Sequence, residues 1–290
     1  MEIQRDKVCL VGYGYWGKIL YKNLKQLNLK VEVYDNHASL ETVLEEDTIL
    51  STLDDISCKN VFVAVPCNEH YKVVERLIKR EHNVFCEKPL TSKFKTTKDL
   101  YELAADHGVK LFVDWIFLYN DYVDYIKKVI TTGKLGKLQT VNLYRQNKGP
   151  VRYDVSARVD LMSHDLSILL HMLGHHISKA EFLDYRKNIT SEQFDSGIGI
   201  LKFDDVTATI DVSWEYPIKN RLCLFEFEAG ILSWDDTTGE IFINNKQVKV
   251  NTKTSPLVRS IDTFLHGKDR YPFKDITLKI SELFENESKI

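Results

Sequence analysis

The stretch Gly12-Tyr13-Gly14-Tyr15-Trp16-Gly17 follows directly on the apolar run Lys7 to Val11 and opens a segment of helical spacing, Trp16 to Leu27. A GxGxxG set between a strand and an amphipathic helix constrains this chain more than any other feature. The first glycine permits a tight turn, the second lets the backbone approach a pyrophosphate, and the third lets helix and strand pack closely. The helix N-terminus then offers backbone N–H groups to an anion. Tyr13, Tyr15 and Trp16 complete the expected cofactor loop. The pattern asks for an acid at the end of the next strand, and Asp35 closes the run Val31 to Tyr34. A carboxylate there accepts both hydroxyls of an adenosine ribose and repels a 2′-phosphate, so NAD is expected over NADP. The bland alternatives are an ordinary turn at the glycines and a turn residue ahead of Asn36.

The first third repeats the alternation. Val61 to Val65 is apolar on both faces, as a strand covered on both sides must be. His70 to Arg80 and Thr97 to His107 carry helical stripes, and Gly108 stands where a left-handed cap ends a helix. Asn83 to Cys86 and Lys110 to Val113 have strand composition. Strands separated by helices give βαβ units and a parallel sheet. After about Tyr119 the pattern changes. Helices are expected over Tyr122 to Ile130 and Leu161 to Leu173. Strands are expected over Leu138 to Arg145, Ala180 to Arg186, Gly197 to Phe203, Thr207 to Trp214 and Arg221 to Glu228. Turns fall at Asp204-Asp205, Ala229-Gly230 and Asn244-Asn245, and helical spacing returns from Ser255. The expectation is an α/β chain: a Rossmann-type doubly wound parallel sheet over residues 1–118, then an α+β domain with an open, mostly antiparallel sheet over 119–290.

Composition excludes several classes. Hydrophobic residues are 43% of 290, enough for a core, and the net charge of −3 includes no basic block. Nucleic acid and anionic membranes are therefore not expected partners. No apolar run approaches the ~18 to 20 residues of a membrane span. The N-terminal stretch is a charged start into a strand, unlike a signal peptide. Cys9, Cys58, Cys67, Cys86 and Cys223 show no metal or disulfide spacing and are expected as buried thiols in a reducing cytoplasm.

Two further groups carry chemistry. Glu87-Lys88-Pro89 follows the strand Asn83 to Cys86 directly, and in an open parallel sheet ligands bind at the carboxyl ends of strands. Lys88 there can hydrogen-bond a substrate hydroxyl and favour its alkoxide. Pro89 restricts Lys88 to extended backbone and permits a cis bond that would fix the lysine's direction. Asp160 and His164 are four apart, so they share one helical face. A histidine near its ordinary pKa can take a hydroxyl proton near neutral pH, and a carboxylate one turn away can orient it. The alternatives are a solvated turn lysine, and a helix-capping aspartate with an incidental histidine. Asp165 is either a substrate contact or a first-turn acid. His171, His175 and His176 read as structural or solvated.

These motifs, in this order and spacing, resemble the Gfo/Idh/MocA oxidoreductase family: GYGYWGK, then Pro66-x-x-x-His70, then Glu87-Lys88-Pro89. The resemblance implies a Rossmann domain followed by an open-sheet domain, with Pro66, His70, Glu87 and Lys88 on the cofactor side. It implies that Lys88 is catalytic, that Asp160 and His164 supply the family's D-x-x-x-H acid/base pair, and that copies assemble as dimers or tetramers. Residues 113–123 (VDWIFLYNDYV) and 144–152 (YRQNKGPVR) resemble the branch that oxidises the 3-hydroxyl of UDP-N-acetylglucosamine-type sugars or their uronic acids. Arg145, Asn147, Gly149 and Arg152 match that branch as they stand and are expected on the substrate side, where guanidinium forks suit a diphosphate or carboxylate. Asp114-Trp115 replaces the branch's Gly-His, and Val159 stands where a Trp is common. Lys219 and Arg221, after Trp214, read either as a further basic contact or, as the favoured alternative, as strand-end charges in solvent.

The expected function is an NAD-dependent oxidoreductase acting on a sugar or nucleotide-sugar alcohol, with no metal. The alternatives are a free polyol or cyclitol dehydrogenase, a keto-sugar reductase, and an inactive regulator that senses dinucleotide.

Overall fold

The computed structural model describes residues 6–186, 188–189 and 193–285. The chain divides into two compact units. One runs up to Asp114 and takes back Leu257–Thr277; the other comprises Trp115–Pro256 and the chain from Leu278 on.

The first unit is built from β1 (Lys7–Val11), α1 (Tyr15–Gln26), β2 (Lys30–Tyr34), β3 (Thr48–Ile49), β4 (Asn60–Val63), α2 (Cys67–Lys79), β5 (Asn83–Cys86), α3 (Phe94–Asp106) and β6 (Leu111–Val113). Its six strands are all parallel, in the order β3-β2-β1-β4-β5-β6. The order reverses beside β1, which places the β1–α1 loop at the switch point where such sheets bind ligands. Val8, Leu10, Phe62, Phe85 and Phe112 are fully buried, as strands covered on both faces require.

The second unit holds α4 (Asp121–Thr132), β7 (Leu138–Lys148), a single π turn (Arg158–Met162) and α5 (Ser163–Leu173). There follow β8 (Lys179–Tyr185), β9 (Ser196–Phe203), β10 (Val206–Ser213), β11 (Glu215–Asn220), β12 (Leu222–Phe227), β13 (Gly230–Asp235), β14 (Glu240–Ile243) and β15 (Lys246–Val248). Its sheet runs β15-β14-β13-β12-β7-β10-β9-β8, with β11 paired to the end of β7. Every pairing is antiparallel except β7 with β10. Asn244 and Asn245 both have positive φ, the backbone that a tight hairpin turn needs.

Two helices close the chain, α6 (Pro256–His266) and α7 (Lys274–Glu285). The division by contacts falls between Asp114 and Trp115, and Leu257–Thr277 returns to the first unit. The returning segment joins the first unit because Phe264 packs against Phe62, Phe85 and Phe112 at 5.2 to 5.8 Å between ring centres. Lys110 Nζ also donates to the Gly267 carbonyl at 2.9 Å, closing the end of α6.

Candidate functional site

In the first unit the site is made by backbone. Gly12 has φ +97°, and a Cβ there would stand 2.6 Å from the Ala64 backbone. A Cβ on Gly17 would land on the Gly12 carbonyl oxygen. Gly14 differs: nothing lies within 4 Å of where its Cβ would be, and no side chain caps α1 at that residue. The outer glycines are thus fixed by packing, and the middle one leaves an open approach to a helix N-terminus.

Asp35 ties this loop to β2. One carboxylate oxygen accepts the Tyr13 N–H at 2.6 Å, and the other accepts the N–H groups of His37 at 2.7 Å and Ala38 at 2.8 Å. Burial pushes the carboxyl up, and the three donors more than offset this, so it sits below the ordinary carboxylate range. The oxygen that accepts from Tyr13 keeps a second lone pair for a ribose hydroxyl, while the other is already filled by His37 and Ala38. The open glycine backbone, the uncapped helix and the ionised acid fit an NAD.

The carboxyl ends of β4, β5 and β6 are cross-linked around Lys88. The Lys88–Pro89 peptide is cis. His70 is 1% exposed, with Nδ1 2.8 Å from the Pro89 carbonyl and Nε2 3.0 Å from that of Val65. It therefore braces the lysine loop from inside, while Pro66, at the start of α2, is exposed. Trp16 Nε1 donates to the Glu87 carboxylate, joining the glycine loop to the end of β5. The Asp114 amide donates to the Cys86 carbonyl at 2.9 Å, so Asp114 lies beside Glu87 in the sheet. Asp114 accepts from Ser260 Oγ at 2.6 Å, and its other oxygen is buried with no hydrogen bond among the described residues. Burial and the neighbouring Asp114 push the Glu87 carboxyl well up. Burial pushes Asp114 up to about 7, against the pull of its Ser260 bond and of Lys88. Lys88 is accordingly the cation beside two carboxyls that resist ionisation.

In the second unit the site is made by side-chain pairs. Asp160 lies in the π turn and His164 in the first turn of α5. The expected helix from Leu161 is thus wider at its start, a deformation that recurs at functional sites. His164 is half-buried and packs edge-on against Phe117 at 5.1 Å. Arg152 binds Asp154 through two bonds of 2.9 and 2.6 Å, and its third nitrogen lies 3.6 Å from Asp160.

Arg145 corrects the expectation of an open fork facing substrate. It is 3% exposed, and its Nε and Nη2 donate to both oxygens of Asp165 at 2.9 and 2.7 Å. Its plane lies 4.5 Å over the Phe117 ring. Burial opposes the charge, and the Asp165 carboxylate more than offsets that, raising the guanidinium pKa. Arg145 therefore fixes Phe117 and the start of α5, the two surfaces that hold His164. Asp165 is a first-turn acid of α5, and it has a further role, on neither side of the sequence alternatives, of pairing with the buried Arg145. Asn147 donates to the Gly149 carbonyl and accepts from Arg221.

Arg221 joins this cluster, against the favoured reading of a solvated strand-end charge and on the side of the alternative, a basic contact. It precedes the alternately buried Cys223, Phe225 and Phe227 and shares their parity. That parity puts it on the covered face of the sheet. Phe117, inside the segment 113–123 that carried the resemblance though not singled out there, and Asp236, which no motif announced, also belong to the cluster.

Residues 7–115 match the family model described as an oxidoreductase family with an NAD-binding Rossmann fold, and residues 123–232 match the Gfo/Idh/MocA C-terminal domain. A 2,7-anhydro-N-acetylneuraminate hydratase of Mediterraneibacter gnavus is 29% identical over 138 residues, which is 44% of this chain and 36% of that relative. Across the first curated relatives the match spans 23% to 54% of their length. The solved UDP-N-acetylglucosamine 3-dehydrogenase of Acidithiobacillus ferrooxidans superposes with a TM-score of 0.83 at 16% identity, over 96% of this chain and 95% of that one. A Bordetella pertussis dehydrogenase solved with NADH and UDP-GlcNAcA gives 0.82 at 19% identity, over 97% and 94%.

Proposed function

The chain belongs to the Gfo/Idh/MocA oxidoreductase family, and from that premise we propose that it moves a hydride between a secondary alcohol of a sugar or nucleotide-sugar and NAD. The observation that carries this reading is the half-buried His164, braced by Phe117 and the Arg145–Asp165 pair one turn from Asp160.

NAD, when bound, supplies the hydride acceptor. This chain's residues do the acid–base work. His164 takes the hydroxyl proton on a ring nitrogen, and the Asp160 carboxylate favours the charged ring that results. Lys88 is assigned the stabilisation of the alkoxide's developing negative charge. The two raised carboxyls beside Lys88 leave its charge less neutralised than ionised ones would. Run backward, the same groups protonate a keto-sugar.

The capture of Arg145 by Asp165 favours a second reading, a neutral polyol or cyclitol as substrate, because one expected anion-reading fork is already filled. Nicotinamide reduction with NAD and NADP, against UDP-sugars, dTDP-sugars and free polyols, separates the two. NAD-dependent turnover of a UDP-sugar is the expected result. Turnover of polyols alone selects the second reading. NAD binding with no turnover in either direction selects a dinucleotide sensor.

We also propose that copies pair through the outer face of the second unit's sheet. Leu183, Ile200 and Ile231 are 41%, 46% and 51% exposed there, and Leu183 and Ile198 are direct cross-strand neighbours. Ile200→Glu is expected to lower the mass measured by light scattering; an unchanged mass removes this face as the interface.

A further inference from the structure

The second unit gathers three guanidinium groups at one end of its sheet, and they are not equivalent. Arg145 and Arg152 each hold a carboxylate through two parallel bonds. Arg221 makes one side-chain hydrogen bond among the described residues, to the neutral amide oxygen of Asn147. A guanidinium has five donors, and its charge is costly to remove from water without an anion.

Position sharpens the contrast. The Asp236 amide donates to the Arg221 carbonyl at 3.1 Å, which extends the β12–β13 ladder and sets the two residues side by side. The β7–β12 register likewise carries Arg145 to a place opposite Arg221. Burial pushes the Arg221 pKa down to about 10, and the neighbouring Arg145 charge pushes the same way. The acids that partly offset this are Asp165, which Arg145 already holds, Asp236 and Asp160. Burial pushes the Asp236 carboxyl up despite both arginines, which weakens it as a countercharge. The result is a partly desolvated cation, with most of its donors open, within electrostatic reach of Asp160.

We infer that Arg221, and not Arg145, reads an anionic oxygen group of the substrate: a sugar carboxylate or a nucleotide diphosphate. The inference rests on the reading that the alcohol is oxidised beside His164 and Asp160. Asn147 acts as the positioning residue, since its side chain bonds both the Gly149 carbonyl and one Nη of Arg221 and so turns the fork. Lys219, two residues before Arg221 and exposed, adds positive charge at the rim.

The test is binding to NAD-saturated protein, followed by calorimetry, with four probes: glucuronate, glucose, UDP-glucuronate and UDP-glucose. Charged hydrogen bonds of this kind lead us to expect Arg221→Gln to weaken one pair of probes roughly ten- to a hundred-fold. A loss confined to the two glucuronates identifies the carboxylate as the anion. A loss confined to the two UDP compounds identifies the diphosphate. Arg221→Lys, which keeps the charge and loses the fork, is expected to fall between wild type and Arg221→Gln on that pair. Equal losses on all four probes, or none on any, overturn the inference. Wild type that oxidises a neutral polyol, with Arg221→Gln fully active, sinks the inference and leaves the hydride-transfer reading intact. Arg221-dependent anion binding without turnover of any alcohol does the reverse.

Discussion

The glycine loop of the first unit and the arginine cluster of the second are built by opposite means. In the loop the binding surface is backbone, and residues are chosen for what they lack. Gly12 and Gly17 stand where a Cβ would meet Ala64 and the Gly12 carbonyl. In the cluster the surface is side chain, and residues are placed by what they pair with: Arg145 with Asp165, Arg152 with Asp154, Arg221 with Asn147. A backbone site is determined within one strand–turn–helix unit. A side-chain site depends on which strands meet, so its members come from β7, α5 and the start of β12. A cation has one role when its fork is filled and another when it is open, and only tertiary pairing decides which.

The largest expected effect tests whether the first unit contributes chemistry beyond cofactor binding. Lys88→Ala is expected to lower turnover by roughly a thousand-fold, the scale of losing one donor to a developing oxyanion. NAD affinity, read by quenching of protein fluorescence, is expected to stay unchanged. Near-normal turnover would remove Lys88 from the mechanism and leave the first unit a cofactor platform alone. The next effect is on stability. Asp165→Asn keeps the shape but leaves Arg145 charged and unpaired at 3% exposure. Breaking such a buried pair costs about 3–5 kcal/mol, measurable as a lower denaturant midpoint. A change below about 1 kcal/mol would show that water reaches the pair and that the cluster is not the rigid support described above.

The same contrast explains what could be read from the sequence. Lys7 to Val11 and Asn83 to Cys86 were legible to the residue, because a buried parallel strand is a short apolar run with sharp ends. Asp35 was legible because the acid must close the second strand. The parts that escaped all depend on distant partners. β11 (EYPIKN) is mostly exposed and contains a proline, so nothing local marks it as a strand; it forms because the end of β7 offers an open edge. The π turn has no composition of its own. The return of Leu257–Thr277 to the first unit rests on Phe264 finding three other aromatic rings. Arg145, Asn147 and Arg152 were recognisable by resemblance, yet whether a fork is filled was not. Asp114 was visible only as a departure from a familiar pair.

A smaller effect separates packing from ligand approach within the loop itself. Gly17→Ala drives a methyl into the Gly12 carbonyl and is expected to destabilise the first unit by about 1–3 kcal/mol, as overpacking does. Gly14→Ala meets nothing within 4 Å, so its stability is expected within about 0.5 kcal/mol of wild type. Its NAD affinity is expected to fall, because the added methyl occupies the space that a pyrophosphate would use. Equal destabilisation by the two variants would mean that the loop is constrained by packing throughout and that Gly14 has no separate role.

The smallest effect concerns a buried side-chain contact in the unit whose cofactor loop is organised by backbone, Asp114 with Ser260. Burial raises Asp114 from 3.8 to about 7. The folded chain therefore holds this proton more tightly than the unfolded chain does, and between those values the unfolded state binds fewer protons. Stability from this group is full below about pH 4 and declines as pH rises toward 7. Asp114→Asn keeps an oxygen for the Ser260 hydroxyl and has no proton to lose. Its melting temperature is expected to decline less steeply than wild type across that window, with the remaining slope due in part to Glu87, which burial also raises. Parallel curves would mean that Asp114 ionises freely when folded. Lys88 would then sit beside a full negative charge, and its capacity to stabilise an alkoxide would be correspondingly weaker.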